Sequence, residues 1–184
     1  VTCETLDELA EFAGKKKEIA EITTQAMNGA IAFDESLRQR VAMLAGLSID
    51  NLEKTLVKME LTPGARTLVQ TMRENGAFTV LVSGGFKFFT THIRKQVGFH
   101  EDVSNNFEIE DGKLTGQVGS TIIDKDGKLA TLKRFTEEKN ISLEDAVTVG
   151  DGANDLPMLQ AAGLGMAFHA KPVVAASARF QIKH

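Results

Sequence analysis

Tryptophan and tyrosine are both absent from these 184 residues, and cysteine occurs once, as Cys3. Without those two aromatics, platforms for stacking single-stranded nucleic acid are limited to 11 Phe. One thiol cannot close an internal disulfide, so nothing points to an oxidising compartment and the cytoplasm is the expected location. No apolar run approaches the roughly 20 residues of a membrane span, and the first residues lack the charged-then-apolar layout of a signal peptide. Positive charge is not in excess either. The 21 Lys and Arg against 25 Asp and Glu give −4, with no basic stripe to neutralise a nucleic-acid backbone. The run Lys15-Lys16-Lys17 follows Gly14 and reads as the solvated start of a helix. No Gly-x-x-x-x-Gly-Lys-Ser/Thr, no Gly-x-Ser-x-Gly and no Cys–His pairing occurs, and His92, His100, His169 and His184 show no metal-ligand spacing.

What is present is an ordinary globular chain, 42% hydrophobic and 25% charged, long enough to bury a core. The first third reads as successive helices. Leu6, Leu9, Ala10 and Ala13 make one apolar stripe before Gly14, and Ile19, Ile22 and Ala26 a second before Gly29. Leu37, Val41 and Leu44 make a third before Gly46, and Ile49, Leu52 and Leu56 a fourth, with Ser48 as N-cap. At Pro63-Gly64 the pattern changes. A helix to Glu74 leads into the apolar run Phe78–Val82, another covers Lys87–Gln96, and Asp111-Gly112 between two short strand patterns signals a hairpin. Lys128–Lys139 and Leu156–Ala162 read as helices. Ala146–Val149 reads as a buried strand, and Gly165–Phe168 and Arg179–Ile182 as further strands. Alternating strands and helices predict an α/β fold with a parallel sheet and a site at the carboxyl ends of the strands.

Two strand ends carry chemistry. Val80-Leu81-Val82-Ser83-Gly84-Gly85 places a hydroxyl and two glycines between a strand and a helix, where free N–H groups suit a phosphate; an ordinary turn has the same composition. Val149-Gly150-Asp151-Gly152-Ala153-Asn154-Asp155 crowds two carboxylates and an amide onto one glycine-rich loop, hard oxygen ligands that suit Mg²⁺ together with phosphate oxygens. Asn154 or Asp155 could equally cap the helix that follows, a role that does not account for Asp151. Lys128, read as opening its helix, is unfavourably placed in the helix dipole, so it is either a surface lysine or the partner of an anion.

Together, Val82-Ser83-Gly84-Gly85-Phe86, Lys128 and Gly150–Asp155 resemble, in order and separation, motifs two, three and four of the haloacid dehalogenase superfamily. Glu4-Thr5-Leu6-Asp7-Glu8, Ala26-Met27-Asn28-Gly29, Phe33 and Ser36–Val41 resemble the cap of its phosphoserine phosphatase family. The resemblance implies a helical cap over 1–62 and a Rossmann-like α/β core with a parallel sheet over 63–184, with a small β insertion near 105–123. It implies that Ser83 and the Gly84 N–H hold the phosphate and that Lys128 neutralises it. Asp151 would ligate Mg²⁺ and Asp155 support the metal's surroundings, while Asn154 contacts substrate. Glu4 would meet the ammonium and Arg40 the carboxylate of an amino-acid phosphate, with Met27 and Phe33 closing the pocket. Bidentate recognition of a carboxylate suits a guanidinium.

The superfamily's first motif, Asp-x-Asp-x-Thr/Ser, supplies the nucleophile and the acid/base, and its place falls before Val1. The first core strand accordingly has no counterpart in residues 1–184, the far end also looks short, and these residues alone are expected to be inert as a phosphatase. The implied reaction is hydrolysis of O-phosphoserine to serine and phosphate through an aspartyl-phosphate with Mg²⁺, the last step of serine biosynthesis. The alternatives are another small-molecule phosphatase or phosphotransferase of the superfamily, or a non-catalytic module that binds phosphoserine or mediates oligomerisation.

Overall fold

Apolar spacing near 3.6 residues becomes four helices, α1 (Thr5–Phe12), α2 (Lys16–Met27), α3 (Phe33–Ala42) and α4 (Ile49–Lys58), in a computed structural model that describes residues 1, 4–27, 30–170 and 172–183. The expected stop at Gly29 lies outside the described residues. Each helix buries its stripe, Leu9, Ile19, Leu37, Val41 and Leu52 being almost wholly removed from solvent. Ser48 Oγ accepts from the Asp50 N–H (3.2 Å) and fixes the start of α4. The chain continues through α5 (Ala65–Glu74), β1 (Val80–Phe86), α6 (Lys87–Val97) and β2 (Glu101–Asn105) to the antiparallel hairpin β3 (Phe107–Glu110) and β4 (Lys113–Val118). Asp111 (φ 48°) and Gly112 (φ 72°) both take left-handed conformations, which is the geometry a two-residue hairpin turn requires.

The hairpin is bonded to the helices. Gly46 N–H donates to Leu114 O (2.8 Å), Leu114 N–H to Leu47 O (2.9 Å) and Ile49 N–H to Gly112 O (3.0 Å). Leu114 and Val118 then join Leu9, Leu37, Leu44 and Phe89 in one core. All of this lies in a first compact unit, residues 1–122. The second unit, 123–184, runs α7 (Lys125–Glu138), β5 (Val147–Gly150), α8 (Leu156–Ala161), β6 (Leu164–Phe168), α9 (Pro172–Ser177) and β7 (Phe180–Ile182). Besides the antiparallel hairpin, the pairing is parallel, β1 with β2 in the first unit and β5-β6-β7 in the second. Among the described residues β1 pairs only with β2, and β5 only with β6. No helix of the described residues is long and apolar enough to cross a membrane.

The main departures from the sequence expectation are two element boundaries and the burial of one strand. Thr79 N–H donates to His100 Nδ1 (3.1 Å) and Thr79 O accepts from His100 N–H (3.0 Å), so Phe78 and Thr79 belong to a loop junction. The strand starts at Val80 and runs on to Phe86. Helix α7 begins at Lys125 rather than Lys128, because the Asp124 side chain accepts from the N–H groups of Asp126 (3.0 Å) and Gly127 (2.8 Å) and caps it there. Strand β5 is buried on one face only: Thr148 is covered, whereas Val147 and Val149 are each 42% exposed.

The first unit also buries a carboxylate. Asp102 on β2 is 4% exposed and accepts from Thr90 Oγ1 (2.7 Å). Lys87 Nζ lies 3.1 Å from the same oxygen, Oδ2, and Arg94 Nε lies 3.0 Å from Oδ1 without hydrogen-bond alignment. Burial alone would raise the carboxyl pKa; the hydrogen bonds from Thr90 and Lys87 and the Lys87 charge outweigh it and hold the group below its ordinary value. A carboxylate depressed on folding adds stability above its unfolded pKa of about 3.9, and that stability is lost as pH falls through the lower folded value. Asp102→Asn is therefore expected to cost about 2 kcal/mol near neutrality, discounted because Lys87 and Arg94 both reach solvent. Denaturant midpoints of both forms should converge on acidification; a gap independent of pH would mean that the charge contributes nothing.

Candidate active site

The phosphate-binding candidates of the first unit stand where β1 gives way to α6. Pairing with β2 is regular from Val80 to Val82 and resumes only at Phe86, so Ser83-Gly84-Gly85 is extended backbone released from the ladder. The Gly85 N–H donates to Ser83 Oγ (3.0 Å), and the Gly84 carbonyl accepts from Asn105 Nδ2 (2.8 Å). Helix α6 follows at once with no side-chain cap, which leaves first-turn N–H groups available to an anion.

On the helical side of the same unit, Glu4 is the exposed N-cap of α1, Phe33 opens α3 and Arg40 lies in its last turn. Arg40 is half-buried. Its Nε donates to Ser36 O (3.2 Å) and its Nη1 reaches Thr23 Oγ1 (3.5 Å), and it forms no ion pair with a described carboxylate. Burial lowers its pKa, while the charges of Asp7 and Glu4 work the other way, so both carboxylates are close enough to be felt. A guanidinium stays protonated through such a shift, leaving a partly desolvated cation with spare donors. Asp7, whose charge acts on Arg40, is not singled out by the sequence pattern. Met27 ends α2, and its side chain lies outside the described residues.

The second unit assembles Lys128, Asp151, Asn154 and Asp155. Because α7 starts at Lys125, Lys128 sits in its first turn and is 7% exposed. Its Nζ donates to Asp155 Oδ1 (2.5 Å), and Asp155 Oδ2 accepts the N–H groups of Asp151 (3.1 Å) and Gly152 (3.0 Å). Asp155 thus caps a short 3-10 turn, Ala153–Asp155, and places no cap on α8. Room for this arrangement depends on Gly150, where a Cβ would stand 2.5 Å from that of Asp155.

Both Asp155 oxygens are thereby engaged within the protein, whereas the exposed Asp151 accepts no hydrogen bond from a described residue. Asn154 stands half-buried between the two carboxylates in sequence. Among the described residues no group of three or more His, Cys, Asp and Glu gathers as a metal cage. The donor set fits a hard divalent cation of the kind that takes one or two protein carboxylates and completes its shell with water and phosphate oxygens.

The chain resembles known proteins along most of its length. The model of the haloacid dehalogenase-like hydrolases matches residues 1–160. A phosphoserine phosphatase of Streptomyces coelicolor is 46% identical over 171 residues, 93% of this chain and 42% of that protein. Its counterpart in Lactococcus lactis is 42% identical over 179 residues, 97% of this chain and 83% of that protein. A solved structure described as a phospho-aspartyl intermediate analogue of phosphoserine phosphatase superimposes with a TM-score of 0.90 at 38% identity, covering 98% of this chain and 87% of that one. The chain spans less than half the length of the Streptomyces relative and most of the length of the Lactococcus one.

Proposed function

Because the chain belongs to the haloacid dehalogenase-like hydrolases and, within them, to the phosphoserine phosphatases, we propose that the whole protein hydrolyses O-phosphoserine to serine and phosphate. The observation that carries this reading is Arg40, a half-buried guanidinium without a carboxylate partner among the described residues, set near Glu4 on the helical side. A substrate with both an ammonium and a carboxylate supplies the two charges these residues lack.

In this reading Arg40 takes the substrate carboxylate, Glu4 the ammonium, and Phe33 and Met27 close over the side chain. The Ser83 hydroxyl and the Gly84 N–H hold phosphate oxygens, Lys128 offsets their charge and Asn154 adds a contact. Asp151 is the proposed protein ligand of Mg²⁺, and Asp155 keeps the loop in shape. A bound divalent ion supplies Lewis-acid stabilisation of charge on the transferring phosphoryl group. The reaction itself proceeds by attack of an aspartate carboxylate on phosphorus as the bond to the serine oxygen breaks and that oxygen takes a proton. Water then displaces the aspartate and releases phosphate. The attacking aspartate belongs to the superfamily's first motif and is not among the residues assigned here. Closure of the proposed cap, residues 1–62, excludes water and brings Glu4 and Arg40 onto the substrate.

Arg40→Ala in the whole protein is expected to lower kcat/KM for phosphoserine roughly ten- to a hundredfold, the worth of a charge-assisted hydrogen bond. A phosphate ester without a carboxylate should be affected far less. Equal losses on both substrates would remove Arg40 from the specificity role.

A further inference from the structure

Asn105, the last residue of β2, is fully buried in a polar position that the catalytic assignment leaves unused. Its Nδ2 donates to the Gly84 carbonyl at 2.8 Å, and only an NH₂ can face a carbonyl in this way, so the amide's orientation is determined. The Gly84 carbonyl and the Gly85 N–H are the two ends of one planar trans peptide and point to opposite sides of it. The Gly85 N–H donates to Ser83 Oγ at 3.0 Å. Holding the carbonyl end of that plane therefore fixes where its N–H end aims, and with it the Ser83 hydroxyl. Two glycines in succession would otherwise leave the plane free to rotate.

Strand β2 secures the neighbourhood at further points. Lys87 Nζ donates to the Asp102 carbonyl (2.5 Å), and Thr90 Oγ1 lies within hydrogen-bond distance of both Asp102 Oδ2 (2.7 Å) and Ser104 Oγ (2.7 Å), tying the first turn of α6 to the same strand.

We propose that Asn105 is a positioning residue for phosphate binding: through the Gly84–Gly85 peptide it directs Ser83 Oγ as an acceptor toward Gly85, which leaves the hydroxyl hydrogen free to be donated to a phosphate oxygen. This rests on the reading of Ser83 as a phosphate ligand. The test is a double-mutant cycle in the whole protein with Ser83→Ala and Asn105→Asp, the second keeping the size of the side chain but losing the donor. Each single change is expected to lower kcat/KM for phosphoserine roughly ten- to a hundredfold, and the double variant should be no worse than Ser83→Ala alone, within about threefold.

Multiplying effects would overturn the role of Asn105 while leaving Ser83 in place. A Ser83→Ala enzyme of normal activity would instead overturn the phosphate-cradle reading, and this inference with it. Val97→Ala, a buried change in the same unit at a residue packed with Val69 and Ile93, serves as the stability control. If it loses as much activity as Asn105→Asp at a matched drop in unfolding midpoint, the effect is one of folding and the proposal fails.

Discussion

Asp151→Asn in the whole protein is expected to lower metal-dependent turnover of phosphoserine about a thousandfold or more, with little change in the unfolding midpoint measured without metal. The size follows from the several kcal/mol that a bound divalent ion contributes to a phosphoryl-transfer transition state. Stability should barely move because the Asp151 side chain is exposed and accepts nothing from a described residue. The loop takes its shape from Asp155, which receives the backbone N–H groups of Asp151 and Gly152. An amide of the same size leaves those contacts alone and removes only the negative charge proposed to hold the metal. The contrasting change, Asp155→Asn, should disturb the loop itself, since both of its oxygens are in use. Wild-type rates from Asp151→Asn at an unchanged Mg²⁺ requirement would place the metal elsewhere.

The division of labour between these two aspartates was only partly legible in the sequence. Gly150–Asp155 announces an anionic loop after a strand, yet which carboxylate turns inward depends on Lys128, 27 positions away. A lysine in the first turn of a helix has the local signature of a surface residue, and nothing nearby marks it as 7% exposed. The four amphipathic helices and the Asp111-Gly112 hairpin were readable because their signals are local: a period of 3.6 residues, and two adjacent residues suited to positive φ.

Strand β2 was hidden for the opposite reason. Glu101–Asn105 contains one apolar residue, Val103, and is held as a strand by parallel pairing with β1. Its inward polar groups, Asp102, Ser104 and Asn105, are tolerable in a core only because α6 and the Ser83–Gly85 segment supply partners. The attachment of the hairpin to the α3–α4 connection is likewise made by backbone groups of Gly46, Leu47 and Ile49, which no side-chain pattern encodes.

Lys128→Met should be damaging twice over, and the two effects can be separated. Lys128 and Asp155 form a buried pair at 2.5 Å, with side chains 8% and 6% exposed. Methionine keeps the length of the stem but leaves the Asp155 carboxylate in the interior with two backbone N–H groups and no countercharge. Breaking such a pair from one side costs about 3–5 kcal/mol, and the two remaining hydrogen bonds argue for the lower end. An ammonium has three donors, so the one given to Asp155 leaves others for phosphate oxygens, and losing them should reduce kcat/KM about a hundredfold beyond any loss of folded protein. Pairing Lys128→Met with Asp155→Leu removes the orphaned charge. Denaturant unfolding should then show part of the stability restored, short of wild type because the Asp151 and Gly152 N–H groups have lost their acceptor, while phosphoserine turnover stays low. Recovery of stability and turnover together would reduce Lys128 to a structural partner of Asp155. A Lys128→Met protein as stable as wild type would show that the buried pair contributes nothing to holding the loop that presents Asp151.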